Sequence, residues 1–243
     1  MRTLDIPHFV QRIRQAGLWD HFFEFVDADA WTRLQADASS AVAHAPTALQ
    51  GEVTLSTAGT DNNECSLRST SSAFKFLPDQ PIIALARIQY SEVTGNGANV
   101  AFGLSSTFAA NLVLDNGTGL AASFTGALIY KTDGNTKWKC RSQIAGTTSG
   151  DTESDQTAGG AGYHTLGVVV MPRSSTEIDV VFLCDPQGGC NLKPLVDSRG
   201  NVIKHTVTLG TAAAMYVGLY EKTGAGADLV TRIDFMGAEQ VIM

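Results

Sequence analysis

The chain has 243 residues, 44% of them hydrophobic and 17% charged, which suits one large packed domain plus an appendage and does not suit disorder. Its net charge of −7 comes without any block of Lys or Arg, so a nucleic-acid grip, which displaces counterions with clustered cations, is not expected. No apolar run reaches the length of about 18 residues that a spanning helix needs. Met1-Arg2-Thr3-Leu4-Asp5 leads into no apolar h-region, so cytoplasmic synthesis is expected.

The first 46 residues read differently from the rest. Ile6, Phe9, Val10 and Ile13 fall at i, i+3, i+4 and i+7, one stripe of a helix. Asp5 can cap it, Pro7 suits its first turn and Gly17 can end it. A second helix is expected from Asp20 or Asp27 to Ala45, where Pro46 stops it. Residues 1–46 are therefore predicted to form an α-helical arm, and 47–243 a β domain. The arm carries four of the eleven Phe and two of the three Trp, more than so short a segment can bury alone. Two fates are open for these residues. They pack on the chain's own β domain, or Ile6, Phe9, Ile13, Trp19, Phe22, Phe23 and Trp31 dock on a partner subunit.

From Gly51 the period becomes two. Val53 and Leu55, then Phe74 and Phe76, alternate with polar residues. Ile82, Ala84, Ala86, Ile88 and Tyr90 share one face of a long strand. So do Leu166, Val168 and Val170; Ile178, Val180 and Phe182; Met215, Val217 and Leu219; and Ile233 with Phe235. Gly95-Asn96-Gly97, Asp115-Asn116-Gly117, Asp133-Gly134-Asn135, Gly188-Gly189 and Arg199-Gly200-Asn201 separate the runs. The pattern predicts an all-β, antiparallel two-sheet jelly-roll sandwich, with the polar stretch 146–162 as a long loop. Cys65, Cys140, Cys184 and Cys190 form no CxxC and are expected as reduced thiols, with a Cys184–Cys190 bridge the alternative.

Four ordered segments resemble the concanavalin A-like lectin/glucanase (laminin-G-like) jelly-roll family, which is common in tailed-phage virion proteins. They are Ser72–Pro78 running through Ile82–Tyr90 into Val100–Ser105; Gly126–Lys131 with Asp133-Gly134 and Trp138; His164–Met171, Glu177–Leu183 and the Asp185–Gly189 turn; and Val217–Thr223 with Val230–Gly237. Together they span about 190 residues in the family's order, as read from the sequence. The resemblance implies the fold and says little of activity, because this fold hosts enzymes, lectins and inert structural parts.

The glucanases of the family carry Glu-x-Asp-x-Glu on one strand, so that three carboxylates face the cleft. Here Glu177 and Asp179 are followed by Val181, or by Phe182 if the strand bulges, and the proton donor is missing. Glu153 and Asp155 share the spacing but fall in the polar stretch. Gly-x-Ser-x-Gly, His-Glu-x-x-His and a dinucleotide loop are absent, and His8, His21, His44, His164 and His205 are scattered. No enzyme and no catalytic residue is expected.

Many lectins of this family use calcium, and Asp61-Asn62-Asn63-Glu64 and Asp133-Gly134-Asn135 offer hard oxygens, though both also read as plain turns. No cofactor is expected beyond that possible ion. Tyr130, Trp138 and Tyr163 are the candidates for a sugar platform, with packing inside the sheets as the alternative. Asn116-Gly117-Thr118 fits a glycosylation pattern and, more simply, a hairpin turn.

These readings converge on a non-enzymatic phage virion protein. It would decorate or cement the capsid surface after synthesis in the host cytoplasm. Its arm would bind the major capsid protein or another virion protein, and it would form a homo-oligomer such as a trimer. The alternative is a lectin-like glycan-binding module of a head or tail fibre.

Overall fold

Period-two runs of β-branched and aromatic residues become strands, and turn residues end them. The computed structural model describes residues 14–22, 29–45, 51–92, 97–115, 117–160, 162–211, 213–224 and 229–242. Among these the strands are β1 (Arg14–Asp20), β2 (Trp31–Gln35), β3 (Ala41–His44), β4 (Val53–Ser56), β5 (Glu64–Ser69), β6 (Ile82–Glu92), β7 (Ala98–Ser105) and β8 (Gly126–Lys131). They continue with β9 (Lys137–Ile144), β10 (Thr147–Thr157), β11 (His164–Pro172), β12 (Glu177–Asp185), β13 (Lys193–Pro194), β14 (Lys204–Thr208), β15 (Tyr216–Thr223) and β16 (Leu229–Ile242).

Every ladder is antiparallel, and the strands form two sheets. The nine-stranded sheet runs β13-β12-β11-β6-β16-β4-β3, with β1 pairing β16 and β14 pairing β12. The seven-stranded sheet runs β10-β9-β8-β7-β15-β5-β2. The long β16 organises the first sheet. One side pairs with β6 along most of its length. The other takes β4 opposite Val230–Ile233 and β1 opposite Met236–Ile242.

The inner faces are those the alternation marks. Ile82, Ala84, Ala86, Ile88, Leu166, Val168, Val170, Ile178, Val180 and Phe182 meet Val100, Phe102, Leu104, Ala127, Ile129, Val217 and Leu219 in one core. Each such side chain contributes roughly 1.5–3 kcal/mol when fully buried. A second, smaller core lies outside the seven-stranded sheet. There Phe108, Leu112, Val113, Leu120 and Phe124, from the connection 106–125, cover Ala101, Leu128, Tyr130 and Tyr220.

Three expectations are corrected. First, no helix occurs among the described residues, and where the expected helical arm is described it forms strands. β1 adds to β16, β2 extends the seven-stranded sheet beyond β5, and β3 extends the other beyond β4. Open sheet edges offer these segments a full set of backbone partners and an apolar face, which outweighs a modest helix propensity. Ile6, Phe9, Ile13 and Phe23 lie outside the described residues. Phe22 and Trp31 are buried in the main core, their rings 5.5 Å apart. Asp20 joins them by accepting the Phe22 N–H at 2.7 Å and the Trp31 Nε1–H at 2.9 Å.

Second, the polar stretch 146–162 is mostly the edge strand β10. Asp151 and Glu153 stand opposite Arg141 and Lys139 in the ladder. Ion pairs join Arg141 to Asp151 (3.4 Å), Lys139 to Glu153 (4.0 Å) and Lys137 to Asp155 (2.7 Å). Cross-strand charge pairs thus replace apolar alternation, and charges on an edge discourage pairing with other chains.

Third, Ile233 and Phe235 do not share a face. A register shift between them turns Phe235 outward and brings Met236 and Ala238 into the core.

The core also holds an acid. Glu221 on β15 is fully buried and accepts a hydrogen bond from the Cys65 thiol at 3.5 Å. Burial pushes its carboxyl from an ordinary 4.5 up to about 8. The folded protein therefore keeps this group neutral where the unfolded chain ionises it. Its contribution to stability is full below pH 4.5, declines as pH rises and is lost above pH 8. Glu221→Gln mimics the neutral acid and should flatten that decline, with its advantage in melting temperature growing from pH 4.5 to 8. A melting-temperature series across pH checks this, and a parallel decline in both proteins refutes it. Trp31→Ala should cost roughly 3–5 kcal/mol in urea unfolding because it opens a core cavity. Trp19→Ala, at an exposed position, should cost less than about 1 kcal/mol.

Candidate functional site

A polar cleft of about 420 Å³ opens where the edge strand β10 meets the connection from β12 to β14. The end of β12 and the turn after it build one wall. Asp185 is buried and shapes that turn, its carboxylate accepting the backbone N–H of Gln187 and of Asn191, each at 3.0 Å. Gly188 closes the turn with φ +64°, and a Cβ there would lie 2.5 Å from the Cβ of Tyr163. Arg87 Nε donates to the Gly188 carbonyl at 2.7 Å and Thr165 Oγ1 to that of Gly189 at 2.9 Å, locking the turn onto the nine-stranded sheet.

The segment Lys193–Val196 forms the floor. Leu195 N–H donates to the Phe182 carbonyl and Asp155 N–H to the Val196 carbonyl, both at 2.8 Å. The second of these bonds ties the two sheets together at the cleft. Asp155 and Gln156 of β10 line the opposite wall. Among the described residues, the side chains of Gln187, Asn191 and Lys193 take no hydrogen-bond partner and face solvent. The cleft therefore offers amide donors and acceptors, an ammonium and a carboxylate, with Pro186, Pro194 and Leu195 as apolar surface.

The residues marked in the sequence are placed as follows. Trp138 is fully buried, edge-on to Tyr90 with ring centroids 5.9 Å apart, and presents no platform to a ligand. Tyr130 is buried in the outer small core and donates to Asp151 at 2.7 Å; burial and that bond push its hydroxyl well above the usual range. Both are corrections, because the two faces of the seven-stranded sheet are covered and its aromatics are spent on packing. Tyr163 is half-buried directly behind the cleft's turn. The Arg87 guanidinium lies 4.0 Å from its ring centroid, and its hydroxyl donates to Glu52. It supports the wall and does not line the cleft.

Trp19 is exposed on the outer face of the nine-stranded sheet, beside Gly237. Glu177 and Asp179 begin β12. Asp179 is ion-paired with Arg173 at 3.1 Å and Lys204 at 3.2 Å, and Glu177 with Arg173 at 3.4 Å. Burial works against the charged form of Asp179, but bonds from Thr206, Arg173 and Lys204 outweigh it and hold the carboxyl below its usual range. Asp179 is thus held ionised and Glu177 is ion-paired, so the strand presents no free acid beside a nucleophile.

Two of the oxygens considered for calcium are engaged elsewhere: Glu64 Oε2 accepts from the Asn111 N–H at 2.8 Å and from the Tyr220 hydroxyl, and Asn135 Oδ1 accepts from the Lys137 N–H at 3.3 Å. Among the described residues no three His, Cys, Asp or Glu side chains converge on one point. All four cysteines are free, with Cys65, Cys140 and Cys184 buried and Cys190 exposed. His164 and His205 are buried. Burial lowers both, His205 to about 4, and its ring nitrogens contact Ser142 at 2.9 Å and Thr152 at 3.2 Å.

The sequence reading missed the cleft residues Asp155, Gln156, Gln187, Asn191 and Lys193. The Pro186-Gln187-Gly188-Gly189 turn was visible, but its facing wall is β10, some thirty residues earlier in the chain and taken for loop.

The sequence matches no protein family model and no curated protein. Solved structures match in shape. A protein of unknown function from Shewanella oneidensis shares 10% identity over 100% of this chain and 95% of its own, with a TM-score of 0.56. Peanut lectin, solved with a nine-residue peptide, shares 7% identity over 95% and 99%, with a TM-score of 0.57. Lectin I from Ulex europaeus, solved with the methyl glycoside of α-L-fucose, shares 9% identity over 93% and 98%, with a TM-score of 0.55. The architecture is the all-β, concanavalin A-like lectin sandwich.

The turn's geometry carries a direct test. Gly188→Ala introduces both a left-handed non-glycine residue and a clash with Tyr163, and should cost roughly 1–3 kcal/mol in chemical denaturation. An unchanged unfolding midpoint would show that the turn is not held as described.

Proposed function

We propose that this protein is a non-enzymatic glycan-binding module that takes its ligand in the cleft between β10 and the Asp185–Val196 segment. The observation that carries the reading is the set of uncommitted side chains there, Gln187, Asn191 and Lys193, beside Asp155 and Gln156, on a turn pre-set by Asp185. A sugar presents hydroxyls that both donate and accept, and side-chain amides flanked by opposite charges answer both needs. A rigid turn limits the ordering cost of binding. The Ulex lectin of the same shape was solved with a fucoside, so the fold is compatible with a sugar ligand, and the cleft's side chains carry the reading.

This reading displaces capsid decoration. That expectation drew on the resemblance to phage sandwiches, the missing acid, the acidic charge and an aromatic arm, and two of the arm's anchors, Phe22 and Trp31, spend their surface on this chain's own core. The salt-bridged Glu177 and Asp179 support a module that binds without turnover.

A glycan array followed by calorimetry tests the proposal. At least one glycan should bind with a dissociation constant of about 1 mM or tighter, near 4 kcal/mol. Asn191→Ala and Lys193→Ala should each weaken it roughly five- to tenfold, about one hydrogen bond's worth, while Trp19→Ala leaves it unchanged. An array without hits, or binding indifferent to both cleft variants, would remove the reading.

A further inference from the structure

The connection 106–125 lies across the outer face of the seven-stranded sheet, and its oxygens converge on a cation that belongs to the chain. Lys222 on β15 is buried to 1% side-chain exposure. Its ammonium donates to Asn111 Oδ1 at 2.7 Å and is ion-paired with Asp115. Next to it on the same face, Glu64 accepts the Asn111 N–H at 2.8 Å and the Tyr220 hydroxyl, and the Asn99 amide donates to the Lys222 carbonyl at 3.3 Å. Asn111 itself stands at φ +60°, a left-handed position that this set of bonds holds in place.

An amide oxygen and a carboxylate oxygen aimed at one point are the donors that a hard cation such as calcium selects. Here the point is taken by Nζ. A metal ion within bonding distance of both oxygens would overlap the ammonium and repel it. The neighbouring acid is tied into the same set, its Glu64 Oε2 receiving both the Asn111 and the Tyr220 donors. A calcium ion therefore does not fit between these two oxygens as the folded loop presents them.

We infer that Lys222 supplies internally the positive charge that would otherwise come from a bound metal ion, so that the loop 106–125 is anchored without a metal. The geometry has a direct consequence. The anchoring charge is covalent and cannot be stripped by a chelator, and it answers to mutation and not to ion concentration.

The experiment uses the full chain. At constant ionic strength, its thermal midpoint in millimolar EDTA and in millimolar calcium chloride should agree within about 1 °C, since a ligand that does not bind the native state cannot stabilise it. A midpoint several degrees higher in calcium would overturn the inference. Lys222→Met keeps the apolar stem and removes the charge. Backbone amide exchange across 106–125 should then accelerate by about tenfold or more, while exchange in β11 and β12 stays as in the parent. Unchanged exchange in the loop would overturn the inference as well. Should that variant fail to fold, Asp115→Asn, which retains an acceptor and loses only the charge at a part-exposed position, is expected to speed loop exchange severalfold; no change there counts against the anchor. These readouts need no glycan, so they stand or fall apart from the binding proposal.

Discussion

A sheet whose central strands are apolar on both faces has to be covered twice, and that constraint organises this molecule. On β7, β8 and β15, residues such as Val100, Phe102, Ile129 and Leu219 face the opposite sheet, while Ala101, Leu128, Tyr130 and Tyr220 face away from it. One sandwich buries only the first set. The connection 106–125 buries the second, which makes the protein three layers deep there. A connection so placed cannot leave its own polar groups to water. It is bonded accordingly: Ser66 donates to the Phe108 carbonyl, Arg141 to that of Leu120 and Gln143 to that of Phe124, and Lys222 is clasped by Asn111 and Asp115. The polar pins and the apolar cover are two parts of one solution.

The edges obey a second constraint. Each sheet would end in unpaired backbone groups, and the chain treats its edges differently. β2 and β3 close the β5 and β4 sides with strands from the N-terminal segment, and β1 occupies the remaining free side of β16. β10 stays at the border but carries Asp151, Glu153 and Asp155, paired with basic residues on β9. A charged edge is poorly suited to strand addition, and it is well suited to hydrogen-bonding a polar ligand. The cleft sits against that edge, and Asp155 belongs both to the charged row and to the cleft wall.

The cleft's rigidity comes from groups committed to one turn. Asp185, Gly188, Arg87, Thr165 and Tyr163 all hold it, and Gln187, Asn191 and Lys193 are left exposed on its surface. The aromatics that could have made a sugar platform are here assigned to structure. Trp138 and Tyr130 fill layers, and Tyr163 braces the wall.

Much of the fold was legible in the sequence, because alternation is a local signal: most runs from Val53 onward name their own inner face, and Ile82–Tyr90 does so over its whole length. The missing third acid after Asp179 was equally local. What alternation could not show was any feature defined by two distant segments. β2 and β3 are four or five residues long and owe their strand form to the edges that receive them. β10 is held by charges whose partners lie on β9, although Lys137, Lys139 and Arg141 set against Asp151, Glu153 and Asp155 were a readable pair of ladders. The bulge before Phe235, the burial of Trp138 and the cleft itself depend on how layers stack. Sequence alone determined which residues alternate and which chemistry is missing. Only the tertiary structure decided which faces are covered twice and which polar groups remain unspent, because burial is a property of neighbours that the chain brings together from far apart.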